Sequence, residues 1–144
     1  MAETDFAPSP GQTYQWGIRR RNSAQGFARN VAQTQFSRGG LYANRAAETQ
    51  NLTDRYNQMR NRIPQQFIGR GLLGSGISAQ GFQDYSKERA SAFGDLGRRY
   101  QQQLGQLSLN EANYSQDYAN QQADVATEES MRRAELAAQL RSLL

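Results

Sequence analysis

The sequence predicts an all-α fold: an elongated helical hairpin with one very long C-terminal helix, assembling with copies or partners. Three observations carry this expectation. No proline occurs from Gly76 to Leu144, large apolar residues recur along that stretch at helical spacing, and strong core formers are scarce. Phe82, Tyr85, Phe93, Leu96, Tyr100, Leu104, Leu107, Tyr114, Tyr118 and Val125 fall on steps of three and four or on their sums, so one stripe runs along the helix and is expected to pack between subunits. At about 1.5 Å per residue, a helix from Ser78 to Leu144 would extend on the order of 100 Å, several times the width of a compact chain of this length. Leu, Ile, Val and Phe number 24 of 144 residues, below the roughly 20% usual for a self-sufficient core. The net charge is only +4, so folding against neighbours is a better expectation than disorder. The polar remainder, 19 Gln, 9 Asn, 18 Ala and 13 Gly, suits helices that approach closely and exchange amide hydrogen bonds.

Taken in order, residues 1–13 carry Pro8, Pro10 and Gly11 with Phe6 as their one large apolar group, and read as an extended N-terminal arm. Residues 14–69 form a basic helical region of two helices and a short turn. The first helix, near Tyr14 to Ser37, has Tyr14, Ile18, Phe27, Val31 and Phe36 as apolar positions and is weakened by Gly17 and Gly26. Arg38-Gly39-Gly40 supplies its end, since glycine adopts the left-handed conformation that closes a helix. A second helix, Leu41 to Arg62, has the stripe Leu41, Arg45 by its aliphatic stem, Leu52, Tyr56, Met59 and Ile63, stopped by Pro64. Gln65 to Arg70 make a short turn.

Residues 70–77 are a Gly-rich reversal in which Gly71, Gly74, Ser75 and Gly76 shape the turn, Leu72 and Leu73 plug its apex, and Ser75 or Ser78 caps the next helix. Residues 78–144 are the long amphipathic helix. Its spacing offers intrahelical pairs from Asp95 to Arg99, Glu128 to Arg132 and Glu129 to Arg133. Gly94, Gly97 and Gly105 mark either a close crossing of another helix or a hinge. Leu136, Leu140, Leu143 and Leu144 make an apolar end that docks in a partner, with a frayed terminus as the alternative. Ser-Ala-Gln-Gly-Phe occurs at 23–27 and again at 78–82; coincidence, duplication and two equivalent helix contacts all account for it.

Cysteine and histidine are absent, which removes the commonest zinc ligands, the commonest neutral-pH general base and every Ser-His or Cys-His nucleophile. Glu128 and Glu129 are the closest carboxylates, but helix neighbours diverge by about 100° and arginines follow them, so no acid/base dyad is expected. Gly69-x-Gly71-x-x-Gly74 imitates a dinucleotide-binding spacing, yet it follows a Pro-Gln-Gln segment where that loop requires a strand. The chain is thus predicted to be no enzyme, with no catalytic residue, cofactor or metal. The basic residues are 16 Arg and one Lys, ten of them with four acids in residues 1–72 and seven with nine acids in 73–144. The two halves neutralise each other between subunits, or the basic half faces nucleic acid. Arg19, Arg20, Arg21 and Arg29, with Tyr14 and Trp16 nearby, are the nucleic-acid candidates. No apolar run approaches 18 residues and the first ten lack a signal-peptide pattern, so synthesis in the cytoplasm is expected.

Residues 70–85, Arg-Gly-Leu-Leu-Gly-Ser-Gly-Ile-Ser-Ala-Gln-Gly-Phe-Gln-Asp-Tyr, resemble the turn of small helical virion structural proteins of tailed bacteriophages, where a similar Arg-Gly-Leu/Met-x-x-Ser-Gly run precedes a long Ala/Gln/Arg-rich helix. The resemblance is close over those sixteen residues and loose over the helix, and it carries over no functional residue. It implies a noncatalytic component near the portal and tail axis, or an internal protein expelled with the genome. Its partners would be copies of itself and portal, tail or adaptor proteins, located in the virion after synthesis in the host cytoplasm. Genomic DNA is a further candidate contact, and membrane contact is implied only if the protein is ejected. The alternative function is a nucleic-acid-binding packaging or ejection factor using the basic half. Spans of regular heptads are missing, a departure from a simple coiled coil.

Overall fold

The computed structural model describes residues 9–72 and 74–143. It is an all-α helical hairpin: α1 (Pro10–Ile68) is followed by α2 (Gly76–Leu143), with no strand among the described residues. Pro10 occupies the first helical position, where a missing amide leaves nothing unpaired. The Ser9 carbonyl accepts the amides of Gln12 (2.9 Å) and Thr13 (3.2 Å). The arm expected over residues 1–13 is therefore corrected at its inner end, because residues 10–13 are helical; residues 1–8 lie outside the described residues.

The expected break at Arg38-Gly39-Gly40 is also corrected, since α1 continues through it for 59 residues in all. Neither Gly39 nor Gly40 has a positive φ. Glycine permits a helix end without imposing one. Two glycines cost roughly 2 kcal/mol of helix propensity, and the half-buried Ser37, Arg38 and Leu41 on either side hold the segment in register. Pro64 likewise lies inside α1 rather than ending it. It removes one hydrogen bond within the last turn and a half, while Ile63 and Phe67 are half-buried around it.

The turn closes α1 with a Schellman arrangement: the Leu72 amide donates to the Phe67 carbonyl (2.9 Å) and the Gly71 amide to the Ile68 carbonyl (3.0 Å). Gly71 takes the left-handed conformation this requires (φ 66), and Gly74 does so again (φ 85). Ser75 is the cap of α2: its hydroxyl accepts the Ser78 amide (3.3 Å) and donates to the Leu72 carbonyl (2.6 Å). Leu73, expected to plug the apex, lies outside the described residues.

Buried and half-buried positions recur every eleven residues in both helices: Leu41, Leu52 and Ile63 in α1, and Tyr85, Leu96, Leu107, Tyr118, Glu129 and Leu140 in α2. Eleven residues in three turns is about 3.67 per turn, slightly above 3.6, so the stripe drifts in the sense opposite to a heptad's and calls for no left-handed winding. This accounts for the missing heptads.

The chain divides into two compact units, Met1–Gln35 with Ser108–Leu144, and Phe36–Leu107. The second unit holds Tyr56, Tyr85, Leu96 and Tyr100 as its buried apolar residues, and the first holds Val125. Buried polar residues are satisfied locally, as where the Thr34 hydroxyl donates to the Asn30 carbonyl (2.9 Å). In the second unit Gly81 lies under Phe67, so that a Cβ there would meet ring atoms at 2.8 and 2.9 Å. A Cβ on Gly97 or Gly105 would meet nothing within 4 Å, and on Gly94 only the Arg98 guanidinium at 3.7 Å. Within the hairpin these three therefore make no close crossing, and the continuous helix shows no hinge at them.

Gly105→Ala should raise stability by up to about 1 kcal/mol through helix propensity alone. Gly81→Leu should lower it by about 1–3 kcal/mol despite the better helix former, because the Phe67 ring must move. Thermal unfolding followed by circular dichroism distinguishes the two.

Candidate functional site

The helices meet along an aromatic and polar seam, and no cluster of acidic side chains able to hold a metal occurs among the described residues. In the unit Phe36–Leu107, the seam is built on tyrosines. Tyr56 packs edge-on against Tyr85 (centroids 5.8 Å) and tilted against Phe93 (6.3 Å). The Tyr85 hydroxyl donates to the Tyr56 carbonyl (2.9 Å), the Tyr56 hydroxyl reaches the Glu88 carbonyl and carboxylate (3.4 Å each), and the Tyr100 hydroxyl donates to Glu48 (3.1 Å). Arg89 lies over the Phe93 ring at 5.5 Å, a cation–π contact. Burial pushes the phenols of Tyr56 and Tyr100 above their ordinary value; the charge of Glu88 adds to this at Tyr56, as does the hydrogen bond to Glu48 at Tyr100.

In the other unit, Phe27 stacks on Tyr118 (centroids 4.9 Å, 16° between planes). One turn away Gln122 Nε2 donates to the Ser23 hydroxyl (2.7 Å). Beyond that come charges: Arg19 pairs with Glu128, and Arg20 with Glu129, which also takes Arg133 at 2.7 Å. The Glu128 hydrogen bond and charge raise the Arg19 pKa further, so this guanidinium is charged at every accessible pH. A cleft of about 510 Å³ runs beside the stack, lined by Asn22, Gly26, Asn30, Tyr114 and Gln121 among others. A second cleft, about 420 Å³, lies in the unit Phe36–Leu107 between Leu41 and Leu107.

No known protein family, curated protein or solved structure matches the chain.

The residues expected to pack between subunits are largely consumed inside the hairpin. Tyr85, Leu96, Tyr100 and Val125 are buried, Phe93, Leu104, Leu107, Tyr114 and Tyr118 are half-buried, and Phe82 is the exposed one. The stripe faces its own chain because a tight glycine turn lets α2 double back on α1. Of the nucleic-acid candidates, Arg19 and Arg20 are engaged by α2 acids while Arg21 and Arg29 are exposed; three adjacent arginines on a helix cannot share one face. The neutralisation expected between subunits thus occurs across the hairpin. Two of the three expected intrahelical pairs are corrected by the same competition: Glu128 turns to Arg19, Arg99 to Glu48 (3.6 Å), and Asp95 to Arg98. Arg132 takes Glu135 (2.7 Å), and the pair from Glu129 to Arg133 forms. Leu136 and Leu140 are half-buried and Leu143 is 76% exposed; Leu144 lies outside the described residues.

The repeated Ser-Ala-Gln-Gly-Phe motif makes unlike contacts. In the first copy Ser23 and Phe27 turn inward and Gly26 is open; in the second Ser78 is buried, Gly81 lies beneath Phe67, and Phe82 is exposed. Sequence reasoning missed Glu48, Gln122 and the Phe67–Gly81 contact. The eleven-residue period, once applied to α1, would have brought Phe67 inward with Tyr56.

A phenol whose pKa is raised in the folded state holds its proton there longer than in the unfolded chain, so its stabilisation is complete below about pH 10 and is lost as pH climbs above that. Alkaline titration of unfolding should show a plateau and then a fall. Tyr56→Phe/Tyr100→Phe should make that fall shallower in a guanidinium series read by circular dichroism.

Proposed function

We propose that this chain is a noncatalytic virion structural protein that oligomerises by lateral packing of its hairpin around a portal or tail axis of a tailed bacteriophage. The observation that carries the reading is the apolar surface left over once the seam is closed. Phe36 is 84% exposed and Leu109 61%, and no side chain among the described residues is fully buried. Exposed aromatic and aliphatic groups on helices with unfilled clefts beside them suit knobs from a neighbouring copy. The 68-residue α2, acting as an extended scaffold, would offer many such contacts in a row.

The virion setting rests on the likeness of residues 70–85, and expulsion with the genome follows from the same likeness. Portal, tail or adaptor proteins are the partners it implies beyond copies of the chain. A noncatalytic role is supported by a composition with neither histidine nor cysteine. Nucleic-acid binding by the basic half is the weaker reading, because Arg19 and Arg20 are drawn onto Glu128 and Glu129.

Sedimentation velocity across a concentration series should show association beyond the monomer, and Phe36→Gln should weaken it by tenfold or so while leaving helicity unchanged. A compact monomer at every concentration, unfolding cooperatively, would refute the proposal.

A further inference from the structure

The turn joining the helices differs from the rest of the chain in charge. Residues 55–83 contain four arginines (Arg55, Arg60, Arg62 and Arg70) and no acid, whereas everything outside that stretch carries thirteen basic and thirteen acidic residues. The whole net charge of +4 therefore belongs to this end of the hairpin. Arg60, Arg62 and Arg70 are exposed and form no ion pair among the described residues. Beside them stand two unpartnered aliphatic groups: Ile68, the last residue of α1, and Ile77, the second of α2, each 59% exposed.

The backbone at this end is also closed on itself. The amides of Gly69, Arg70, Gly71 and Leu72 donate to carbonyls of the last turn of α1 and that of Ser75 to Leu72, the Ser75 hydroxyl donates to the Leu72 carbonyl and the Ser78 hydroxyl to the Ser75 carbonyl.

We propose that this end of the hairpin docks on an anionic lipid surface, Ile68 and Ile77 entering the boundary between headgroups and acyl chains while Arg60, Arg62 and Arg70 pair with lipid phosphates. Interfacial segments bury roughly 5–10 Å deep, one to two helical turns. The nearest acid along α2 is Asp84, seven residues past Ile77 and so about 10 Å along the helix; the nearest along α1 is Asp54, about 20 Å from Ile68. Arg62, about 9 Å from Ile68, and Arg70 thus lie nearer the turn than any carboxylate, and Arg60, about 12 Å from Ile68, stands at about the depth of Asp84. Docking is peripheral: no helix among the described residues is long and apolar enough to cross a membrane. A nucleic acid fits this end less well, since stacking on bases needs open rings, and Phe67 is half-buried over Gly81 while the groups standing out are aliphatic. The inference is independent of assembly in a virion.

The test is cosedimentation of the full chain with vesicles of phosphatidylcholine alone and of phosphatidylcholine containing about one quarter phosphatidylglycerol, with duplex DNA as a separate arm. Anionic vesicles should bind at least tenfold more tightly than neutral ones. Arg60→Gln/Arg62→Gln/Arg70→Gln should weaken that binding on the order of 100-fold, and Ile68→Gln/Ile77→Gln at least tenfold. Both variants should keep the parent's helicity, because all five side chains are exposed, and Arg21→Gln/Arg29→Gln should bind vesicles as the parent does. The proposal is overturned by equal binding to both vesicles, by no binding to either, or by isoleucine variants that bind unimpaired. Duplex DNA binding lost in the arginine variant, with vesicles ignored, overturns it in favour of nucleic acid. Association of the parent chain in the ultracentrifuge is read separately, so failure here leaves the assembly reading standing.

Discussion

Two helices of 59 and 68 residues can keep one face each turned inward only if the inward residues recur with the helix's own period. Here that period is eleven, and the rest of the structure depends on it. A heptad would drift by about 20° every seven residues in a straight helix and demand a left-handed supercoil to follow it; an eleven-residue spacing drifts by about 20° in the opposite sense over its longer repeat, roughly two-thirds as much per residue, and is followed by a gentle right-handed winding. Tyr85, Leu96, Leu107, Tyr118 and Leu140 are all buried or half-buried although large apolar residues are few in the sequence between them. With so few strong apolar residues, placement substitutes for number.

That constraint also explains which parts of the structure were legible in the sequence. The α2 stripe, the Gly-rich reversal and the serine cap were readable because each rests on local chemistry: apolar spacing, positive φ at Gly71 and Gly74, and a hydroxyl near free amides. The continuity of α1 was not. Arg38-Gly39-Gly40 and Pro64 are local signals for breaks, and they lose to packing of Ser37, Leu41, Ile63 and Phe67 against the facing helix, a contribution invisible until the partner is known. The same reason governs the charges. Spacing of four suggests Glu128 with Arg132, but nothing in the local sequence reveals that Arg19 lies opposite. The stripe likewise reads as a contact surface without showing which helix covers it: the reversal folds α2 back along α1, and much of the stripe is buried or half-buried there.

Tyrosine in place of leucine along this seam has a consequence for specificity. A leucine interface between repetitive helices tolerates sliding, since one apolar contact is much like another one repeat away. Tyrosine buries comparable area but needs an acceptor for its hydroxyl. Tyr85 finds the Tyr56 carbonyl and Tyr100 the Glu48 carboxylate; in the other unit Gln122 finds Ser23 and the arginines find Glu128 and Glu129. A slip of register would strand several buried polar groups together. Surface pairs are weak one by one, and their work here is to make the alternatives worse, which is how a thin core specifies one pairing.

A surplus of apolar surface and a charge-neutral remainder belong to the same economy of design. Outside residues 55–83 the basic residues, twelve arginines and Lys87, are matched one for one by carboxylates, so that part of the surface carries little long-range repulsion between copies. Short-range contact can then decide association, and Phe36, Tyr14 and Leu109 stand out from surfaces otherwise made of small and amide side chains. Helices rich in alanine and glycine let a neighbour approach closely, and open glycines such as Gly26 and Gly105, with empty space where a Cβ would lie, leave room for its side chains. An assembly of such hairpins would be specified by where the few large groups fall along each helix, as the hairpin itself is.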